Sequence, residues 1–171
     1  VPSAEPSASI ASLAVPGKLN AVGQMVYTAG AYQGLHMVNA ANPAAPVLAG
    51  VLTTSGTAND VAVAGDMAFI ADGATGLLQA NVSVPVAPTA TYTVSVGASG
   101  ALAVTVEADI AYVAAGASGL VAVQFYDHLT PPVIVGGFDT PGTALDAAVA
   151  GEYAYIADGD AGLMIADRFP L

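Results

Sequence analysis

Asp139-Thr140-Pro141-Gly142-Thr143-Ala144-Leu145-Asp146-Ala147-Ala148-Val149-Ala150-Gly151-Glu152-Tyr153-Ala154-Tyr155-Ile156-Ala157-Asp158-Gly159-Asp160-Ala161-Gly162-Leu163-Met164-Ile165-Ala166-Asp167 contains three strands and the turns between them. Period-2 alternation marks a first strand over Leu145–Val149 and a second over Tyr153–Ala157, joined at Gly151-Glu152. Asp158 to Gly162 then reads as a hairpin loop, because Asp and Gly supply left-handed backbone, and Leu163–Asp167 is a third strand.

The pattern recurs through the chain. Gly-Leu stands at Gly34-Leu35, Gly76-Leu77, Gly119-Leu120 and Gly162-Leu163, at spacings of 42, 43 and 43. Eight residues before each Leu is an aromatic: Tyr27, Phe69, Tyr112 and Tyr155. Two before that is Met25, Met67, Ile110 or Tyr153. The aromatic has small or short apolar neighbours, so it is expected to pack between units.

Three Pro-rich connections, Asn42-Pro43-Ala44-Ala45-Pro46, Val86-Ala87-Pro88 and Thr130-Pro131-Pro132, lead into further strands at Val47–Leu52, Thr89–Val94 and Val133–Phe138. Proline suits the entry to an outer strand, where one face of the ladder is unused. Four antiparallel strands per unit of about 42 residues predict an all-β, four-bladed β-propeller almost without helix. The repeats fall at about 18–57, 58–99, 100–143 and 144–171. The last lacks a fourth strand, and residues 9–17, whose Pro16-Gly17 resembles Pro141-Gly142, are expected to supply it. Residues 1–8 read as an extended Pro/Ser/Ala leader. The first inner strand, Leu19 to Val22, reads as two residues shorter than its counterpart starting at Leu145.

Composition narrows the function. Thirteen acidic residues against two basic ones, Lys18 and Arg168, give a formal charge of −11, the wrong sign for neutralising phosphates, so nucleic acid is excluded as a partner. No apolar run approaches the ~20 residues of a membrane span. With no Cys, disulfides and thiolate metal sites are absent. Only 9% of residues are charged, and such a surface suits a protein packed against copies of itself. The start at Val1-Pro2-Ser3 fits a chain whose signal peptide has been removed, which places it outside the cell or on its surface.

The segment Asp139 to Asp167, and Gly34-Leu35-His36-Met37-Val38-Asn39 with Asn42-Pro43-Ala44-Ala45-Pro46, resemble the LVIVD repeat. The resemblance extends over nearly the whole chain from about residue 13, is best in units one and four, and is weaker at Asn81–Pro88 and Tyr126–Pro132. It implies a secreted or cell-surface β-propeller and no catalytic residues.

Catalytic patterns are missing as well. His36 and His128 occupy non-equivalent places, and there is no Gly-x-Ser-x-Gly elbow, His-Glu-x-x-His pair or phosphate loop. Aligning the inner strands puts Asn20, Asp60, Leu102 and Asp146 at one level of the propeller axis. Asp60 and Asp146, with Asn20 between them, are then candidate ligands for a hard cation such as Ca²⁺; alternatively each Asp caps nearby backbone N–H groups. Asp72-Gly73 and Asp158-Gly159-Asp160 read as hairpin-tip residues. Asn81-Val82-Ser83 is a glycan acceptor sequon. These features predict a non-catalytic structural protein that self-associates through β-strand pairing; the alternative is a monomeric module that binds a peptide, glycan or surface partner.

Overall fold

The structure, a computed structural model, describes residue 10 and residues 17–169. Fifteen strands and one short 3₁₀ turn, Gly159–Ala161, make up its regular structure. The first sheet holds β1 (Leu19–Val22), β2 (Met25–Ala29), β3 (Leu35–Asn39) and β4 (Val47–Leu52). The second holds β5 (Asp60–Ala64), β6 (Met67–Ala71), β7 (Leu77–Asn81) and β8 (Thr89–Val94). The third holds β9 (Ala103–Glu107), β10 (Ile110–Ala114), β11 (Leu120–Gln124) and β12 (Val133–Phe138). The fourth holds β13 (Asp146–Ala150), β14 (Tyr153–Ala157) and β15 (Leu163–Asp167). Each is an antiparallel meander in chain order. The all-β, propeller-like architecture expected from the repeat is therefore present. The expected closing strand at 9–17 lies outside the described residues apart from Ile10 and Gly17.

Two-residue turns join the first and second strands, with positive φ at Gly23, Gly65, Ala108 and Gly151. The Gly-Leu glycines have a further reason to be glycine. Gly34, Gly76 and Gly119 have positive φ, and a Cβ there would collide with the carbonyl oxygen of Leu52, Val94 or Phe138, the last residue of the same sheet's outer strand. The landmark marks where the third strand must approach the fourth closely. Each complete sheet also has a bulge between its third and fourth strands, after Met37, Gln79 and Ala122, which adds twist to an edge.

Three apolar layers join the sheets face to face. Tyr27, Leu35 and Met37 pack on Val61, Ile70 and Leu78. Phe69 and Leu77 pack on Val104, Val113 and Phe125. Tyr112 and Leu120 pack on Ala154 and Ile156. The aromatics Tyr27, Phe69 and Tyr112 are buried between sheets, as expected, while Tyr155 is half-buried. Isolated bridges Ala31–Ala58, Gly73–Ala101 and Gly116–Ala144 tie each sheet to the next.

The first inner strand differs from its sequence reading. Gly17 donates to the Ala29 carbonyl as Asn59, Leu102 and Leu145 donate to those of Ala71, Ala114 and Ala157. Gly17 is thus the counterpart of Leu145: no residues are deleted before the turn, and β1 is shorter than β13 by one residue rather than two. Likewise β13 begins one residue later than Leu145.

Candidate functional site

The corrected register decides the axis. Asp60, Ala103 and Asp146 pair with Ala71, Ala114 and Ala157, and the counterpart in the first sheet, opposite Ala29, is Lys18. Asn20 pairs with Tyr27 and corresponds to Ala62, Thr105 and Ala148. It lines the same cavity two residues further along. Leu102 lies one residue before Ala103, on the opposite side of its strand.

Residues of the four inner strands line a cavity of about 380 Å³, among them Lys18, Asn20, Asp60, Thr105 and Asp146. The structure brings the two predicted carboxylates together through an ammonium group. Lys18 Nζ lies 3.4 Å from Asp60 Oδ2 and 3.0 Å from Asp146 Oδ2. Burial opposes the charge on Lys18, but the hydrogen bond to Asp146 and the fields of both carboxylates outweigh it and hold its pKa above the usual lysine value. Asp60 also accepts from Val61 N–H at 2.8 Å and Val104 N–H at 3.1 Å, and Asp146 accepts from Ala147 N–H at 2.9 Å. The backbone capping weighed from the sequence is thus present in both. No group of three or more His, Asp or Glu side chains among the described residues is arranged to hold a metal ion.

The other cation also ties two sheets together: Arg168 Nη1 of the fourth lies 4.0 Å from Glu107 Oε1 of the third. Both of the chain's basic residues therefore serve sheet-to-sheet contacts.

Two acidic residues read as turn chemistry have a different role. Asp72 and Asp158 are fully buried. Asp158 accepts from Thr140 Oγ1 at 2.6 Å and Gly142 N–H at 2.8 Å, so it fixes the connection that enters its sheet. Asp72 accepts from Gly56 N–H at 2.8 Å in the same way. Thr54, the counterpart of Thr140, and Asp72 each keep a buried oxygen without a partner. In the third sheet the equivalent pair is Val96 and Ala115, both buried in an apolar core. The sequence held a signal for this arrangement: Thr-x-Gly sixteen residues before Asp in two units, and an apolar pair in a third.

His36 is buried on β3, and burial lowers its pKa. His128 is half-buried in the loop after β11. Asn81 ends β7 half-buried, its Oδ1 accepting from Ser83 N–H at 2.9 Å. No helix among the described residues is long and apolar enough to cross a membrane.

Among the described residues one face of the fourth sheet is not covered. Leu163 and Ile165 are 65% and 57% exposed, whereas Leu35, Leu77 and Leu120, the counterparts of Leu163, are 0%, 1% and 0% exposed. Tyr153 is exposed beside them, and a cavity of about 230 Å³ opens between Asp146, Tyr155 and Leu163. Among the described residues no strand pairs with the outer edge of β15.

Solved structures resemble this fold at low identity. The computationally designed Ika4 protein matches with a TM-score of 0.72 and 8% identity, over 90% of this chain and 91% of its own. The designed Ika8 protein matches at 0.69 and 9%, over 87% of this chain and 44% of its own. A chain of the mitotic checkpoint complex matches at 0.69 and 13%, over 86% of this chain and 48% of its own. At such identities the likeness concerns the fold alone. No curated protein matches the sequence. The LVIVD repeat family matches the second and fourth units, where the sequence reading had placed the best resemblance in the first and fourth. The matched residues are 55–95 and 141–167.

Proposed function

We propose that this chain is a non-catalytic structural β-propeller of the cell exterior that assembles with copies of itself through β-strand pairing. Its four sheets are the blades, and an N-terminal strand completes the fourth. The observation that carries the reading is the apolar face of the fourth sheet: Leu163 and Ile165, on a strand edge that none of the described residues pairs with, are exposed where the other three sheets bury their counterparts. The remaining outer strands favour the same reading. β4, β8 and β12 contain no charged residue, and charge is the usual protection of an exposed edge. Negative-stain electron microscopy and sedimentation of the purified chain test it. Filaments or large concentration-dependent species are expected; discrete monomers at all concentrations refute it.

The second reading, a monomeric extracellular module for a peptide, glycan or surface partner, draws on the polar axial cavity and the exposed Tyr32 at the tip between β2 and β3. Secretion and a glycan at Asn81 belong to both readings, and intact-mass measurement of the native protein tests the glycan.

A further inference from the structure

We propose that the axial cavity is a binding site for a small hydroxylated primary amine, held as its ammonium ion. This rests on the second reading, in which the chain is a binding module, and names the site and the class of ligand.

Charge carries the argument. The charged residues lining the cavity are two carboxylates, Asp60 and Asp146, and one ammonium, Lys18, which leaves one negative charge unbalanced. The chain has no other basic side chain to balance it. Arg168 is engaged with Glu107, His36 is buried on β3, and His128 lies in the loop after β11. The segments outside the described residues contain no lysine, arginine or histidine, so wherever they run they bring no basic side chain to the axis. The balancing cation therefore comes from a ligand. The formal charge of −11 draws cations to the molecule and turns anions away.

Lys18 shows which kind of cation fits. Its ammonium reaches Asp60 at 3.4 Å and Asp146 at 3.0 Å. Asp60 is already shared with the N–H groups of Val61 and Val104, and its side chain is only 10% exposed. Asp146 has, besides Lys18, the Ala147 N–H as its one partner among the described residues, and its side chain is 55% exposed. A carboxylate offers about four acceptor positions, so Asp146 can take a second ammonium from the solvent side while Lys18 stays with Asp60. Two residues further along their strands, Asn20 and Thr105 line the same cavity. An amide and a hydroxyl each donate and accept, which suits hydroxyl groups on the rest of the ligand. The volume of about 380 Å³ lies at the lower end of the roughly 300–1,000 Å³ usual for small-molecule sites. A bare metal ion would leave most of that space and the second level of polar groups unused, and the described residues place no third carboxylate or imidazole to complete its shell.

The test titrates the isotope-labelled full chain with glucosamine and with ethanolamine and follows the amide resonances of Asn20, Asp60, Thr105 and Asp146. Saturable shifts at these residues are expected. Glucose and N-acetylglucosamine, which keep the hydroxyls and lack the ammonium, should leave them in place, as should sodium chloride and calcium chloride. Asp146→Asn should weaken binding by at least about tenfold through the loss of a charge-assisted hydrogen bond. Asp160→Asn removes the same charge at an exposed turn outside the cavity and should leave the affinity unchanged. Lys18→Met removes the competing ammonium and should tighten binding about threefold. If Lys18→Met fails to fold by circular dichroism, Lys18→Gln replaces it. An equal response to the neutral sugars or the salts, or an affinity that Asp146→Asn leaves unchanged, overturns the site. Amine shifts at the Tyr32 tip and not at the axis overturn it and leave the second reading standing, as does a monomeric chain that answers no amine. A chain that answers no amine and is polymeric at every concentration overturns both.

Discussion

Removing the Phe69 side chain should be among the most damaging single substitutions, and its counterpart in the fourth blade should be tolerated. Phe69 is fully buried between the second and third sheets, with its ring centroid 4.3 Å from that of Phe125. Its core contains Ala62, Ala71, Ala111 and Ala115. Alanine has no rotamer with which to refill a void, so the cavity left by Phe69→Ala stays largely open. A loss of about 4 kcal/mol follows from the ~3–5 kcal/mol range for such truncations, with about 1 kcal/mol of it from the aromatic pair. Tyr155 holds the same place but is only half-buried. Tyr155→Ala should therefore cost about 1–2 kcal/mol, from roughly half the usual transfer energy and a void open to water. Urea denaturation of dilute monomer reads both. With a slope of about 2 kcal/mol/M, Phe69→Ala moves the midpoint down by about 2 M and Tyr155→Ala by less than about 1 M. Equal shifts would refute the claim that one sheet face is uncovered. A Phe69→Ala midpoint near wild type would refute the packing between sheets.

Lys18→Met should cost about 1 kcal/mol, because a half-exposed ion pair is screened by solvent, and high salt should shrink the difference. Its raised pKa means that this stabilisation is complete below the unfolded lysine value of 10.5 and is lost as pH rises through the higher folded value. With the ammonium as counter-ion, a chelator should leave the melting temperature unchanged; chelator sensitivity would support Asp60, Asp146 and Asn20 as cation ligands. His36 has a lowered folded pKa, so its contribution is present above the unfolded value of 6.5 and declines as pH falls below it. His36→Leu should flatten stability between about pH 6.5 and 5, and an unchanged profile would show that His36 is not the titrating group. Asp158→Ala should cost about 2–3 kcal/mol because it strands the Thr140 hydroxyl and the Gly142 N–H. Asp160→Ala, exposed two residues on, should stay within about 0.5 kcal/mol in the same thermal melts.

Much of this architecture was legible because each strand is bracketed by residues with a single physical use. Proline at 46, 88 and 132 and apolar alternation after it define β4, β8 and β12 at the residues observed. The Gly-Leu pairs and the aromatics eight residues earlier gave the repeat, since a close carbonyl and a buried inter-sheet cavity each admit few residue types. The first inner strand was misaligned because Leu19 looks like Leu145 and composition outweighed geometry. Counting back from the turn glycines Gly23, Gly65 and Gly151 would have put Lys18 level with Asp60 and Asp146, because a two-residue turn fixes register while an apolar side chain does not.

The same limit explains the buried aspartates. Asp72-Gly73 and Asp158-Gly159 carry turn chemistry, and Gly73 and Gly159 do have positive φ. What the local pattern could not show is that the connection from the preceding sheet crosses above the turn and donates N–H groups to it. A carboxylate that meets water in an ordinary hairpin here meets Gly56 or Gly142 instead. The third unit, with Val96 and Ala115 in those places, shows that the crossing itself does not depend on the polar pair. In the fourth unit the polar pair is joined directly, Thr140 to Asp158, whereas in the second Thr54 Oγ1 and Asp72 Oδ1 are both left without a partner among the described residues, so the crossing accepts a bonded polar pair, an unbonded one or an apolar one.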